Sequence, residues 1–387
     1  MNTLYKELLN EYGSPLYVYD QATLLATIQR ITKAVPYVRK QFHFASVTNG
    51  NLALLQIFKQ HGWGLHANTP GDVVLGLQAG FAPAQLVYSG SNLSQAEMQQ
   101  MLDWRVEMLN LDSLSQLDVL CNLYKSDYTP RLGLRLNLPD ITGDNRIGVQ
   151  VEELPEAVNI AARIGLKVSG LHFYRGTGTN VTTAFTDAIA RVIEVGRSLP
   201  DWEYLDFGGG FGYPYREGQI GFSWEEFGAE LSQQLQQLPR PINLVIEPGR
   251  AAIAQCGTLL ARVVSVKWQG TKQIVGLDTS VANIAVLSVH GGMRKIRALK
   301  DFNDETYSTD LCGNTTYSRD YLGRNCQLPK LSIGDIVAIL DVGAYGYAMA
   351  SHFLHRPRPA EVLVANGTHR LIRRRESYQV LLEQQAL

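Results

Sequence analysis

The sequence predicts an α/β domain followed by an all-β domain: a (β/α)8 TIM barrel, then a C-terminal β-sandwich or β-barrel. Three observations predict it. Short apolar runs alternate with longer amphipathic segments between residues 21 and 257, eight times in all. That alternation is the sequence form of a closed parallel barrel, and the even count and the length favour closure over an open doubly wound sheet. After Gly257 the alternation stops, and strand-like runs follow one another without regular helices between them. The 387 residues suffice for two to three domains.

The elements follow in chain order. The opening MNTLYKELLNEYG is amphipathic, lacks the apolar run of a signal peptide, and leads into an extended stretch at 15–19. Residues 1–20 are expected to pack on the β-domain. A helix over 22–34 precedes the first barrel strand. The strands are expected at 42–47, 63–67, 85–89, 106–110, 131–137, 167–173, 203–207 and 242–247. Two intervening helices open with a capping box, Ser94 with Glu97 and Ser113 with Gln116, in which each partner satisfies a backbone N–H of the other. The barrel is thus assigned to 21–257 and the β-domain to 258–387, with strands at 258–268, 273–277, 336–340, 361–365 and 369–372.

Composition excludes several classes. Apolar residues make up 45 % and charged residues 18 %, a globular balance, and the net charge of −1 argues against an electrostatic nucleic-acid binder. Cys121, Cys256, Cys312 and Cys326 form no CxxC pair, which argues against a zinc ribbon or a thiol–disulfide motif and fits a reducing compartment. No window approaches 18 uncharged apolar residues. The expectation is a soluble cytoplasmic protein with neither nucleic acid nor membrane as partner.

Barrels of this kind place chemistry at the C-terminal ends of their strands. Two ends stand out. Strand 7 runs into Asp206-Phe207-Gly208-Gly209-Gly210-Phe211-Gly212, and strand 8 into Glu247-Pro248-Gly249-Arg250. Open glycine amides and a guanidinium suit a phosphate, and the loops after strands 7 and 8 are the usual phosphate site of such barrels. A glycine run alone reads as a tight turn; two such motifs at the expected positions read as an anion site. Other residues have blander readings. His43, His61 and His369 read as packing or surface residues, since no spacing supports a metal site. Arg370 and Arg373–Arg375 read as a solvated strand edge, and Tyr345, Tyr347 and Phe353 as core.

An ordered set of motifs spans nearly the whole chain: LYVYD, GLHFYRGTG, LDFGGGFG, IEPGR, LC at 311–312, GDIVAILDVGAYGYAMAS and RPRPAEVLV. In this the chain resembles the fold-type III pyridoxal-phosphate decarboxylases, which act on ornithine, arginine, diaminopimelate and related amino acids. The resemblance implies pyridoxal 5'-phosphate as cofactor, a barrel plus β-domain, and a homodimer with shared active sites. It implies that Gly208, Gly209, Gly210, Gly249, Arg250, Thr177 and Tyr345 hold the phosphate. Glu247 matches the carboxylate that faces the pyridine nitrogen. Cys312 matches a cysteine delivered by the partner subunit to steer protonation.

The departures cluster at the other end of the cofactor. The family's Tyr-Ala-x-Lys-x-Asn, whose lysine binds the cofactor as a Schiff base, reads here as the segment 44–49 with Val47 in the lysine position. A valine has no amine and forms no imine. The neighbouring strand-2 Asp is His66, and the ring-stacking His is Tyr174. The acid after the cysteine is Gly313, and an Arg and Tyr that hold diaminopimelate's distal end fall near Val286 and His290. The expectation is a decarboxylase-like C–C lyase homologue that binds the cofactor non-covalently, with His66, Tyr174 and Cys312 as catalytic candidates and an amino-acid-like ligand. Lys295 and Lys300 are the candidate replacement amines. Two alternatives are a catalytically dead homologue that binds a metabolite or an active paralogue, and an enzyme acting on another phosphorylated ligand.

Overall fold

A first strand, β1 (Leu16–Asp20), precedes eight strands that close into a parallel barrel. These are β2 (Lys40–Ala45), β3 (Gly64–Ala67), β4 (Leu86–Tyr88), β5 (Met108–Leu111), β6 (Arg131–Leu136), β7 (Val168–Phe173), β8 (Tyr204–Asp206) and β9 (Asn243–Ile246). They form at the eight apolar runs because parallel strands lie between core and helices, so both faces must be apolar. β3, β4, β5 and β7 are buried along their entire length. β2 closes the cylinder by pairing with β9, Lys40 opposite Leu244 and Phe42 opposite Ile246. This computed structural model describes residues 2–386 other than 126, 144, 290, 291, 293 and 301–304, so His290 lies outside the described residues.

One buried tyrosine organises the barrel interior. Tyr204 on β8 fills the space over Gly170 and Gly133, where an added Cβ would come 1.9 Å from its Cζ and 2.3 Å from its hydroxyl oxygen. The two glycines are therefore the complement of one large ring, as close packing requires. Arg131 stacks over the same ring with its guanidinium carbon 4.7 Å from the centroid.

Helix starts carry their expected chemistry. Ser94 and Glu97 satisfy each other reciprocally at the N-terminus of Gln95–Asp103. Ser113 accepts from Gln116 N–H, but the Gln116 side chain bonds Leu93 N–H and C=O instead, so that box is only half formed. Beyond β8, Phe211 is clamped between Phe185 and Trp224, with ring centroids 4.7 Å and 4.4 Å away. This aromatic cluster anchors the loop that carries the three glycines.

The chain divides into two compact units, one of residues 27–214 and 220–252, the other of 1–26, 215–219 and 253–387. The second unit adds β10 (Gly257–Gln269), β11 (Lys272–Leu277), β12 (Ile296–Ala298), β13 (Tyr307–Cys312), β14 (Tyr321–Leu328), β15 (Ile336–Leu340), β16 (Ala360–Ala365) and β17 (Thr368–Arg373). The long β10 serves two sheets. Its first half pairs with β1 and β15, and beyond a bulge between Val263 and Ser265 its second half pairs with β11. Bulges are the usual device by which a strand changes sheet. The N-terminal helix Asn2–Tyr12 buries Leu8 and Leu9 against Leu16, Leu260 and Val362.

Several sequence expectations differ from what forms. The first barrel strand stops at Ala45, and Val47 sits in a one-turn 3-10 helix, Ser46–Thr48. Ser46 leaves the ladder to donate to His66 C=O and Asp72 Oδ1. β12, β13 and β14 lie where no strand is expected, because β12 is short and β14 is a polar edge with Arg324 and Asn325 exposed. The basic run near the C-terminus is not merely solvated. Arg373 pairs with the fully buried Glu361, which also accepts from Tyr19 OH at 2.6 Å, and Arg375 donates to Pro15 C=O. Among the described residues no helix is long and apolar enough to cross a membrane.

Gly170→Ala is expected to lower stability by about 2–3 kcal/mol, the upper range of overpacking costs, because its Cβ would overlap the Tyr204 ring. The urea midpoint measures this; an unchanged midpoint would show that the ring moves aside freely.

Candidate active site

Side chains from six strand ends meet inside the barrel mouth. Glu247, just past β9, is 2 % exposed. Its Oε1 accepts from Ser89 Oγ at 3.3 Å, and its Oε2 lies 3.2 Å from His172 Nε2 and 3.5 Å from His66 Nε2. Asn110 donates to Ser89 Oγ at 3.2 Å and to Asp206 Oδ2 at 3.0 Å, while Tyr204 OH donates to Asn110 Oδ1 at 2.9 Å. Asp206 Oδ1 also accepts from Gly208 N–H at 2.9 Å. Each residue leaves its strand pointing inward, so a polar chain crosses an otherwise apolar core with most of its members paired.

Burial sets the electrostatics. It pushes the Glu247 carboxyl up to about 7, with the Asp206 and Ser89 hydrogen bonds and the Arg135 guanidinium holding it down. Asp206 stands well above the usual carboxylate range, through burial and then the charge of Glu247. Burial pushes the His172 imidazole down to about 4 and His66 well below its ordinary value, the latter helped by His172, His43 and Arg135. Both imidazoles are therefore neutral at pH 7. His66 makes no hydrogen bond from either ring nitrogen, its 3.5 Å approach to Glu247 being a contact without hydrogen-bond alignment, and His172 Nδ1 is likewise without a partner.

The glycine-rich loops after β8 and β9 lie in the same unit. Gly208 and Gly210 adopt φ of +63° and +95°, and a Cβ on either would come 2.2 Å from the carbonyl oxygens of Phe173 and Gly176. Glycine is needed there because the loop after β8 runs against the loop after β7. Thr179 N–H donates to Gly210 C=O, and Gly212 N–H to Thr179 C=O, which ties the two loops together. Tyr174 OH lies 3.2 Å from Thr177 Oγ1. A Cβ on Gly178 would stand 3.3 Å from Arg250 Nε, so Arg250 reaches the same loop. Gly249 is confined by Thr48 Cγ2, 2.6 Å from where its Cβ would lie. Thr177, Gly208–Gly210, Gly249 and Arg250 thus share one end of the barrel with Glu247, His66 and Tyr174.

Sequence reasoning missed several members. Arg135, on β6, stacks over Tyr174 with its guanidinium carbon 5.1 Å from the ring centroid. Ser89, Asn110 and His172 stand at barrel strand ends and Asp206 opens the glycine motif, but the sequence assigns none of them a role, since each is one polar residue in an apolar run. That interruption of a buried strand was the available signal. No metal-ligand spacing exists in the sequence, yet the fold brings ligand atoms of His172, Asp206 and Glu247 within 4.8 Å of one another, each buried. His43 is a packing histidine whose ring meets the space beside Gly64.

The remaining candidates belong to the β-unit. Cys312 ends β13, half-buried, its thiol pushed up by burial and by Asp310 and Asp320. Tyr345 follows β15 with φ of +58°. Lys300 is engaged with Asp335 Oδ2 at 2.7 Å and Lys330 C=O at 3.0 Å, and Lys295 is exposed. The space left by Gly313 is filled by a carboxyl from elsewhere: an added Cβ would lie 2.1 Å from Asp320 Oδ1. Asp320 spends that carboxyl on Val281 N–H, Thr315 N–H and the Thr315 hydroxyl. In the barrel unit, the lysines at 33, 40, 59, 125 and 167 lie on helices, after a helix, or at strand starts, and none lies at the C-terminal end of a strand.

A closed barrel with a buried carboxyl and glycine-lined loops at its C-terminal end defines a class of cofactor-binding α/β enzyme folds. Residues 21–254 match the family model described as "Pyridoxal-dependent decarboxylase, pyridoxal binding domain", and the chain belongs to this pyridoxal-phosphate-dependent decarboxylase family. It is 31 % identical to the diaminopimelate decarboxylase of Methanothermobacter thermautotrophicus, over 98 % of this chain and 93 % of that relative. It is 30 % identical to the diaminopimelate decarboxylase of Neisseria meningitidis serogroup B, over 98 % and 94 %. The crystal structure of Helicobacter pylori diaminopimelate decarboxylase complexed with L-lysine superposes with a TM-score of 0.91 at 27 % identity, covering 98 % of each chain. Vibrio vulnificus lysine/ornithine decarboxylase shares the fold, with a TM-score of 0.84 at 23 % identity over 95 % and 97 %.

The family's cofactor is pyridoxal phosphate. The donor set of this site suits its phosphate and ring nitrogen, since Arg250, the glycine loops and the buried Glu247 share one barrel end, and unpartnered imidazole nitrogens line the same space. Among the described residues, the same strand ends offer no lysine amine.

A raised folded-state pKa means that stability is present below the unfolded value of 4.5 and lost as pH rises through about 7. The difference in stability between the native protein and Glu247→Gln is therefore expected to shift against the native protein between pH 4.5 and 7. Parallel denaturant titrations check it; a flat difference would mean that Glu247 is ionised throughout.

Proposed function

We propose that this chain is a decarboxylase-like lyase homologue that holds pyridoxal phosphate without a lysine linkage. The reading rests on one observation above others. The position that matches the family's lysine is Val47, 41 % exposed on the turn after β2, and no lysine stands at the C-terminal end of any barrel strand among the described residues.

Arg250 and the amides around Gly208–Gly210 bind the phosphate, with Thr177 beside them. Glu247 faces the ring nitrogen, its orientation set by Ser89 and His172. Tyr174, backed by Arg135, covers a ring face. When bound, the cofactor supplies an electron sink for the carbon that loses carboxylate. His66, neutral and unpartnered at both nitrogens, accepts or returns a proton at the reacting end. Cys312 is supplied by the partner subunit of a homodimer, and Tyr345 matches the family's phosphate-binding tyrosine. The substrate is an amino acid, as the relatives' names support; Val286 at a position matching the distal anchor for diaminopimelate favours one without that second zwitterion.

Absorbance titration of the purified protein with pyridoxal phosphate is expected to saturate, and borohydride followed by intact mass is expected to leave the chain unmodified. Arg250→Ala is expected to weaken binding about tenfold or more, the worth of one charge-assisted hydrogen bond. Val47→Lys is expected to gain a reducible covalent link. A reduced adduct on the native chain would refute the reading.

A further inference from the structure

The barrel mouth holds a donor set that the proposed chemistry does not exhaust. His172, Asp206 and Glu247 place one ligand atom each within 4.8 Å of the others, at exposures of 1 %, 0 % and 2 %. A second, independent feature points into the same spot. His66 is 6 % exposed, neither of its ring nitrogens has a hydrogen-bond partner, and its Nε2 lies 3.5 Å from Glu247 Oε2. A buried polar atom left unpaired costs about 1–3 kcal/mol. Such atoms aimed at a carboxylate mark a place where something else is meant to bind.

We propose that His66, His172, Asp206 and Glu247 bind a divalent transition ion of the zinc or cobalt class in the cofactor-free chain, in competition with the cofactor ring for Glu247. Two imidazoles and two carboxylates are a borderline nitrogen and oxygen set, which suits zinc and cobalt better than calcium or magnesium. The spacing agrees. Metal–ligand bonds of about 2.0–2.2 Å put neighbouring atoms of a tetrahedron roughly 3.4 Å apart. Here both imidazole Nε2 atoms flank one carboxylate oxygen, at 3.2 and 3.5 Å. With each ring proton on Nδ1, both Nε2 lone pairs are free to bond the ion.

The surroundings also suit a dication. Asp206 and Glu247 are two buried acids in close proximity, and a doubly charged ion compensates both. Asn110, Gly208 and Ser89 already orient the two carboxyls, leaving further lone pairs on their oxygens. Such outer hydrogen bonds fix metal ligands in place. Residue 66 is one of the positions at which this chain departs from the family pattern, where the family has an aspartate.

The test begins with the purified full-length protein stripped with a chelator and freed of cofactor. Cobalt(II) is expected to give the visible bands of a four-coordinate site at one ion per chain, and zinc to displace it. X-ray absorption of the zinc form is expected to show nitrogen and oxygen ligands with imidazole scattering. His66→Ala is expected to weaken uptake at least tenfold, with its fold checked by circular dichroism. If that variant does not fold, the ligand identity from X-ray absorption on the native chain decides instead. No uptake by the cofactor-free chain, sulfur ligation, or unchanged affinity in a folded His66→Ala overturns the ion site. The competition rests on the cofactor reading above and is measured separately. Pyridoxal phosphate is expected to weaken cobalt uptake, and undiminished uptake with the cofactor demonstrably bound overturns the competition alone.

Discussion

The burial of the Glu247 carboxyl inside the barrel mouth is the constraint around which the site is arranged. An acid at 2 % exposure must be paired or neutral. Here one oxygen takes Ser89, and the other faces His172 and His66. Ser89 is held by Asn110, Asn110 by Tyr204, and Tyr204 by the two glycines that leave room for its ring. A single carboxyl therefore couples residues on β3, β4, β5, β7, β8 and β9. Low dielectric strengthens each of these bonds and raises the cost of any that is missing.

The end of the barrel proposed to take the phosphate is built by a different device, close approach of backbone. Gly208 and Gly210 let the loop after β8 lie on the carbonyls of the loop after β7, and Phe211 is pinned behind them by Phe185 and Trp224. Packing alone accounts for the glycine identities. The consequence for chemistry is that Thr177, Arg250 and the glycine amides are brought to one place on rigid supports. Rigid supports matter because a phosphate is held by several short bonds whose geometry must coincide.

Much of the fold was legible because its determinants are local. Each of the eight apolar runs formed a strand, within a few residues at either end. Ser94 and Glu97 formed their box because all atoms of that motif lie within one turn. Ser113 formed only half of its box because Gln116 had a better partner in Leu93, in the loop just before the preceding helix. The strand at 42–47 lost its last residues to a turn because Ser46 bonds His66 and Asp72, residues some twenty positions away. β14 escaped notice because a polar edge strand carries no apolar period.

By itself the sequence determined the order of the barrel strands, the two kinds of domain and the glycine-rich turns after β8 and β9. It also determined that residue 47 carries no amine. These follow from periodicity, turn chemistry and residue identity, which act over a few neighbours. Only the tertiary structure decided that His172, Asp206 and Glu247 meet with His66 beside Glu247, that Asp320 fills the space Gly313 leaves, and that Arg373 pairs with Glu361. The physical reason is that these partners stand on different strands, far apart along the chain. Which of them meet depends on how the barrel closes and how each side chain is buried, not on any local spacing.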